Sequence, residues 1–197
     1  LLILDLGKAE TYQQAHVPGA VHVLSKDITL GTPPAPGLLP PPEQLSLLLS
    51  RLGLTPDMHV VVYDDEGGPW AGRMIWVLDS IGHKKYSFLN GGIHSWICEQ
   101  WEISRDPVDP TPSEFQVATI HTDVTITKSE LLTSIDEQAV EILDVRTPAE
   151  YSGEKAQSQR GGHIPGAKHY EWTQALDSDR SLRLRDLIDV KSELKKI

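Results

Sequence analysis

The chain has 197 residues, 39% hydrophobic and 23% charged, which allows one large domain or two small ones and excludes disorder throughout. Its formal charge of -10 disfavours nucleic acid or an anionic membrane as the main partner, although one locally positive pocket could still take a small anion. The single cysteine, Cys98, excludes an intrachain disulfide framework and a thiolate-rich zinc site, and fits a reducing cytoplasm.

The opening LLIL is too short for a signal peptide and lacks a basic flank, and no run is long enough to span a membrane. It leads into ILDLGKAETYQQAHVPGAVH, and LGTPPAPGLLPPPEQ follows as a proline-rich surface excursion without regular structure. VVVY (Val60–Tyr63) reads as a buried strand breaking at Asp64, Asp65 and two glycines. Ala71, Met74, Ile75, Leu78 and Ile81 then fall on one face of a helix that Gly82 ends. YSFLN is a strand, Gly91-Gly92 a turn, and IHSWICEQW a short helix. Pro107, Pro110 and Pro112 make residues 104–113 a stiff, extended linker. Beyond it, Thr127-Lys-Ser-Glu130 and Thr147-Pro-Ala-Glu150 are capping boxes, and AVEILDV (Ala139 to Val145) is a strand of continuous apolar character.

One unit occurs twice. Asp5 and Tyr12 are seven apart, as are Asp144 and Tyr151; His16-Val-Pro-Gly-Ala-Val-His22 reappears as His163-Ile-Pro-Gly-Ala-Lys-His169. The second copy carries eight extra residues between Tyr and His, a loop insertion. Strands alternating with helices across short joints imply, in each copy, a mainly parallel sheet flanked by helices. LSLLLSRLGL in the first copy matches IDVKSELKKI in the second, and Asp64 comes ten residues after Leu54. The second copy therefore reaches its own version of the Asp64 loop about ten residues beyond Ile197. With four residues before Asp5 and no leading Met, the chain reads as clipped at both ends, the first copy without its front and the second C-terminally incomplete. The expected division is 1–103, linker 104–113, and 114–197, with about one strand and one helix between Phe115 and Glu141.

The Asp-to-Tyr helix, the H-[IV]-P-G-A turn, the VVVYDD strand and LNGGIHSW together resemble a tandem-domain rhodanese (thiosulfate sulfurtransferase), most like the bacterial type. The resemblance implies two rhodanese-like domains, the first inactive and the second carrying a catalytic cysteine at the position matching Asp64. That thiolate would attack the outer sulfur of thiosulfate, release sulfite and hold the sulfur as a persulfide until cyanide or a thiol removes it. No nucleophile is expected within these residues, and neither a metal nor an organic cofactor is required. A 3-mercaptopyruvate sulfurtransferase, or a non-catalytic rhodanese-like binding module, would share every visible motif. The small anionic donor and a thiophilic acceptor are the expected partners, without nucleic acid or membrane; the protein is expected to be monomeric and cytoplasmic.

Site expectations follow from the same comparison. Asp64 fills the old anion cradle, pinned by backbone N–H groups, and Asp65 is either part of it or a solvated acid. Trp70 lines a pocket across the domain interface or packs in the core. Arg73 makes an ion pair or caps backbone carbonyls. Asp144 supports the missing loop or caps its own turn; Arg146 holds thiosulfate or forms a salt bridge. Glu150 stands where some animal rhodaneses carry an arginine, which puts that thiosulfate contact in doubt. The paired histidines repeat because the Pro-Gly turn between them does, not as metal ligands. Cys98 is a packing residue, and Asp5 ends a strand on the loop side of the sheet.

Overall fold

The computed structural model describes residues 1–33, 35–137 and 140–197. They divide into two compact units, Leu1–Val124 with Asp179–Arg183, and Thr125–Ser178 with Leu184–Ile197.

In the first unit, β1 (Leu2–Asp5), α1 (Ala9–Gln14), β2 (Val21–His22), α2 (Pro42–Arg51), β3 (Val60–Tyr63), α3 (Pro69–Ser80), β4 (Tyr86–Phe88) and α4 (Gly92–Cys98) follow in order. The four strands form one parallel sheet, ordered β2-β1-β3-β4. Leu4 pairs with Val21 on one side and with Val62 on the other. From β1 the chain first steps to β2 and later returns to the opposite side as β3. The gap between the carboxyl ends of β1 and β3 is thus the switch point where open α/β sheets bind ligands. Period-two alternation sends Leu2, Leu4, Val60 and Val62 into a core shared with Leu45, Leu48, Leu49, Met74, Val77 and Leu78 of α2 and α3. Tyr63 faces the other way, against Ile93, Val17 and Ala20, with Ile3 and Trp96 packed alongside. On α3 the expected apolar face holds at Ala71, Met74 and Leu78, with Val77 added; Ile75 and the C-cap residue Ile81 are only partly buried.

The segment after residue 103 is a strap on this unit rather than a free linker. Ser104 exchanges two backbone bonds with His16. Further along, the Ser50 hydroxyl takes the Phe115 N–H at 2.9 Å and donates to the Phe115 carbonyl at 3.0 Å, while Ser46 Oγ takes the Val117 N–H. The Trp76 indole donates to the Val124 carbonyl. Residues 114–124, expected to open the second domain, therefore stay with the first unit, because Phe115 is buried there and Val117 and Ile120 pack against its core. The strand expected near Phe115 does not form; these backbone groups bond to helix side chains instead. Of the excursion 30–44, Pro42, Glu43 and Gln44 form the first turn of α2, because Pro42 suits a helix N-terminus; the described residues of 30–41 hold neither helix nor strand, and backbone bonds from Leu30 to Leu38 and Gly31 to Pro36 close them on themselves.

The second unit contains α5 (Lys128–Asp136), β5 (Leu143–Asp144), α6 (Pro148–Ser152), β6 (Lys168–His169) and α7 (Leu187–Leu194). Both capping boxes are complete, each with the Thr oxygen on the Glu N–H and the Glu carboxylate on the Thr N–H. β5 and β6 pair in parallel with Asp144 opposite His169, the register of Asp5 and His22 in the first unit. Of the expected strand Ala139 to Val145, Ala139 lies outside the described residues and only Leu143 and Asp144 are strand. Leu143 and Val145 are 42% and 45% exposed, whereas their counterparts Leu4 and Leu6 are buried. Among the described residues, no helix is long and apolar enough to cross a membrane.

Candidate functional site

The turn that follows β3 wraps a carboxylate. Gly67 and Gly68 adopt positive φ, and Pro69 opens α3, whose N-cap Gly68 has no side chain to offer its first N–H groups. Asp64 supplies the acceptor. Its Oδ1 takes the N–H groups of Glu66 (3.0 Å) and Gly68 (2.8 Å); its Oδ2 takes those of Trp70 (2.9 Å) and Ala71 (3.0 Å). The residue is 1% exposed. Four convergent N–H groups at a helix N-terminus form an anion cradle, and the chain's own carboxylate occupies it.

Asp65 points elsewhere. Its carboxylate accepts the Thr11 hydroxyl at 2.5 Å and the Lys8 N–H at 3.3 Å, capping α1, whose own N-cap Lys8 has no side-chain acceptor to offer it. His94 Nε2 donates to the Asp65 carbonyl at 2.8 Å, and Lys8 Nζ meets Glu66 at 2.8 Å. Gly92, at φ +53, lies so near the Asp64 carbonyl oxygen that a Cβ would collide with it. Trp70 is partly buried against the main core of its own unit. Arg73 caps backbone carbonyls, the second of the two roles open to it: Nε and Nη2 reach Ile28 O, Nη2 reaches Leu38 O, and Nη1 reaches Gly37 O at 2.7 Å. Its guanidinium also lies over Trp76, 4.5 Å from the ring centre, and burial pulls its pKa below the ordinary value. The proline-rich excursion is thereby clamped from within.

The repeat extends to side-chain geometry. Tyr12 stacks between His16 (3.9 Å between ring centres) and His22 (4.8 Å); Tyr151 stacks between His163 (3.7 Å) and His169 (4.6 Å). Each tyrosine hydroxyl donates to an alanine carbonyl at 2.8 Å, Ala20 in one unit and Ala167 in the other. His22 and His169 donate from Nε2 to the carbonyls of Gly7 and Arg146. The paired histidines thus serve a ring sandwich, which the Pro-Gly turn alone did not suggest; the constant His-to-His spacing beside a repeated tyrosine was its signal. Among the described residues, no three His, Cys, Asp or Glu side chains are arranged to hold a metal ion.

At the ends of the matching strands the two aspartates differ. Each accepts the N–H two residues on, Gly7 at 2.7 Å and Arg146 at 3.1 Å. Asp5 is buried, and desolvation raises its pKa against the opposing hydrogen bonds of Tyr63 and Gly7. Burial drives the Tyr63 hydroxyl up as well, with Asp5 adding to it. Asp144 instead pairs with Arg146, which holds its carboxylate below the ordinary range. Arg146 Nη2 also reaches the Gly162 carbonyl at 2.9 Å. Glu150 closes its capping box, accepting the Thr147 hydroxyl at 2.7 Å. Cys98 is exposed at the last turn of α4.

A family model described as the rhodanese-like domain matches residues 1–99 and 127–197. The chain is 47% identical over 186 residues to the thiosulfate sulfurtransferase of Azotobacter vinelandii, covering 94% of this chain and 68% of the relative. It is 41% identical over 195 residues to the thiosulfate sulfurtransferase of Pseudomonas aeruginosa, covering 98% and 72%. The crystal structure of the 3-mercaptopyruvate sulfotransferase of Escherichia coli superposes with a TM-score of 0.85 at 27% identity, over 97% of this chain and 75% of that one.

Proposed function

The chain belongs to the rhodanese-like family, and on that premise we propose that it comes from a thiosulfate sulfurtransferase with two tandem rhodanese-like domains, the first silent and the second catalytic. The observation that carries this reading is the cradle at Asp64. Four N–H groups at a helix N-terminus would stabilise a thiolate, and the persulfide that replaces it, as they stabilise the carboxylate here. A cysteine thiolate in such a cradle attacks the outer sulfur of thiosulfate. The sulfur–sulfur bond breaks, sulfite leaves with the electron pair, and a cysteine persulfide remains. Cyanide or a thiol then takes the terminal sulfur and restores the thiolate. A carboxylate oxygen forms no stable persulfide, so the first copy is silent. We place the nucleophile about ten residues beyond Ile197, where the repeat spacing puts the counterpart of Asp64. The cycle calls for no metal or organic cofactor, and we assign it to the cytoplasm.

The test is a thiosulfate:cyanide assay on the 197-residue chain and on the chain carried through its native continuation. The shorter chain should show no turnover, and Cys98→Ser should change nothing. The longer one should turn over and gain one sulfur atom by mass on its new cysteine. Turnover in the shorter chain that survives Cys98→Ser would overturn the assignment of the nucleophile. Aspartate, serine or glycine at the predicted position would leave only the binding-module reading. A 30% identical relative from E. coli is a 3-mercaptopyruvate sulfurtransferase, so that donor is assayed in parallel. A higher kcat/KM with it would replace thiosulfate as the donor.

A further inference from the structure

Two side chains and one loop distinguish the second unit from the first at the same end of the repeat. Where the first has Gly7 and Thr11, the second has Arg146 and Glu150; where the first runs directly from α1 to the turn, the second inserts eight residues. The loop closes on a glycine neck. A Cβ on Gly153 would stand 2.8 Å from the Gly162 nitrogen, and one on Gly161 would stand 2.7 Å from the Gly153 carbonyl oxygen. With φ at +89 and +95, Gly153 and Gly162 turn the chain through conformations that side-chain-bearing residues rarely adopt. Arg146 and Glu150 tie the loop to the strand and helix beside it. Arg146 Nη2 holds the Gly162 carbonyl at 2.9 Å while Nε and the same Nη2 grip Asp144 at the end of β5. Glu150 is fixed by the α6 cap, and its carboxylate is held below the ordinary range by Thr147 first, with Lys155 and Gln157 of the loop adding to it.

We propose that Arg146 and Glu150 are positioning residues that latch loop 153–162 beside the carboxyl end of β5, and that the latched loop sets affinity for the anionic sulfur donor. This rests on the sulfurtransferase reading above. The carboxyl end of β5 is the end at which open α/β sheets take ligands, and the neck lies one guanidinium away from it. Arg146 does not act as a donor ligand, because its Nε and Nη2 are committed to Asp144 and Gly162. The absence of arginine, glutamate and loop together from the first copy is what a single device predicts.

The experiment is a cycle in the cysteine-bearing enzyme. Arg146→Ala and Arg146→Lys are each made in the natural loop and in a loop shortened by residues 154–161, whose flanking ends already touch. In the natural loop, Arg146→Ala should raise KM for thiosulfate about tenfold with kcat changed by less than about twofold. Arg146→Lys, which keeps a charge for Asp144 but not the fork to Gly162, should also raise it. In the shortened loop neither substitution should change KM further. An equal rise in both backgrounds would mean that Arg146 touches the donor itself, and an unchanged KM would mean that the latch has no bearing on it; either overturns the proposal. If the wild-type enzyme does not turn over thiosulfate, the reading beneath it fails instead. Amide exchange across 154–160 in the 197-residue chain then decides the latch alone: faster exchange in Arg146→Ala and in Glu150→Ala supports it, and unchanged exchange refutes it.

Discussion

Replacing Asp64 by alanine removes one side chain and leaves four N–H groups without their acceptor. Three of these bonds, to Glu66, Gly68 and Trp70, are part-buried, so water can partly replace the carboxylate, at about 1 kcal/mol each. The Ala71 N–H is fully buried and losing its partner costs about 1–3 kcal/mol. Relief of the carboxylate's own desolvation offsets part of the total, leaving about 3 kcal/mol. Asparagine is no rescue: it keeps one acceptor oxygen but turns an NH2 toward two donors, so it should cost nearly as much. Equilibrium urea unfolding followed by tryptophan fluorescence suits the measurement, since Trp70, Trp76, Trp96 and Trp101 all lie in the first unit. A loss below about 1 kcal/mol for both substitutions would refute the cradle as a stabilising device and leave Asp64 as an ordinary loop acid.

Three further outcomes are expected. Gly92→Ala should cost about 2–4 kcal/mol by the same urea assay, because a Cβ at φ +53 meets the Asp64 carbonyl and the loop cannot retreat from its own cradle. The two equivalent aspartates should titrate on opposite sides of 3.8 when followed by carboxyl-carbon NMR. Asp5, raised by burial, contributes stability that is complete below 3.8 and is lost as pH rises through its higher native value. Asp144, lowered by Arg146, contributes stability present above 3.8 and lost as pH falls through its lower native value; Arg146→Ala should bring it back toward 3.8. Arg73→Lys should cost about 1–2 kcal/mol and speed proteolytic cutting between residues 31 and 38, since one ammonium nitrogen cannot reach carbonyls that the three guanidinium nitrogens contact separately.

What could be read from the sequence was what rests on periodicity and local chemistry. The apolar run of β3, the one-sided face of α3 and the two threonine–glutamate caps each involve residues within a few positions of one another. Such signals survive without knowledge of the tertiary partner. The strap over residues 104–124 left no such trace. Its backbone groups are satisfied by the hydroxyls of Ser46 and Ser50, more than sixty residues away in sequence, and a serine on a helix gives no sign of that duty. Asp65 was ambiguous for the same reason. Its partners Lys8 and Thr11 lie 57 and 54 residues back, and only the sheet order β2-β1-β3 brings them within reach.

Gly7 and Arg146 show how one position can redirect a whole corner of the repeat. A Cβ at Gly7 would stand 2.9 Å from an Asp5 carboxylate oxygen and 3.2 Å from that of Asp65, so only glycine lets both acids close over α1. Asp65 can then cap that helix from the β3 loop, which ties the cradle of Asp64 to the preceding strand–helix unit. The arginine at the matching place in the second unit turns its guanidinium onto Asp144 and the Gly162 carbonyl. That unit carries its capping carboxylate on the helix itself, as Glu150, and its strand-end acid Asp144 has a cation where Asp5 has a second acid nearby. The lowered pKa of Asp144 and the anchoring of the inserted loop are therefore linked consequences of Arg146, whereas Asp5 owes its raised pKa first to burial.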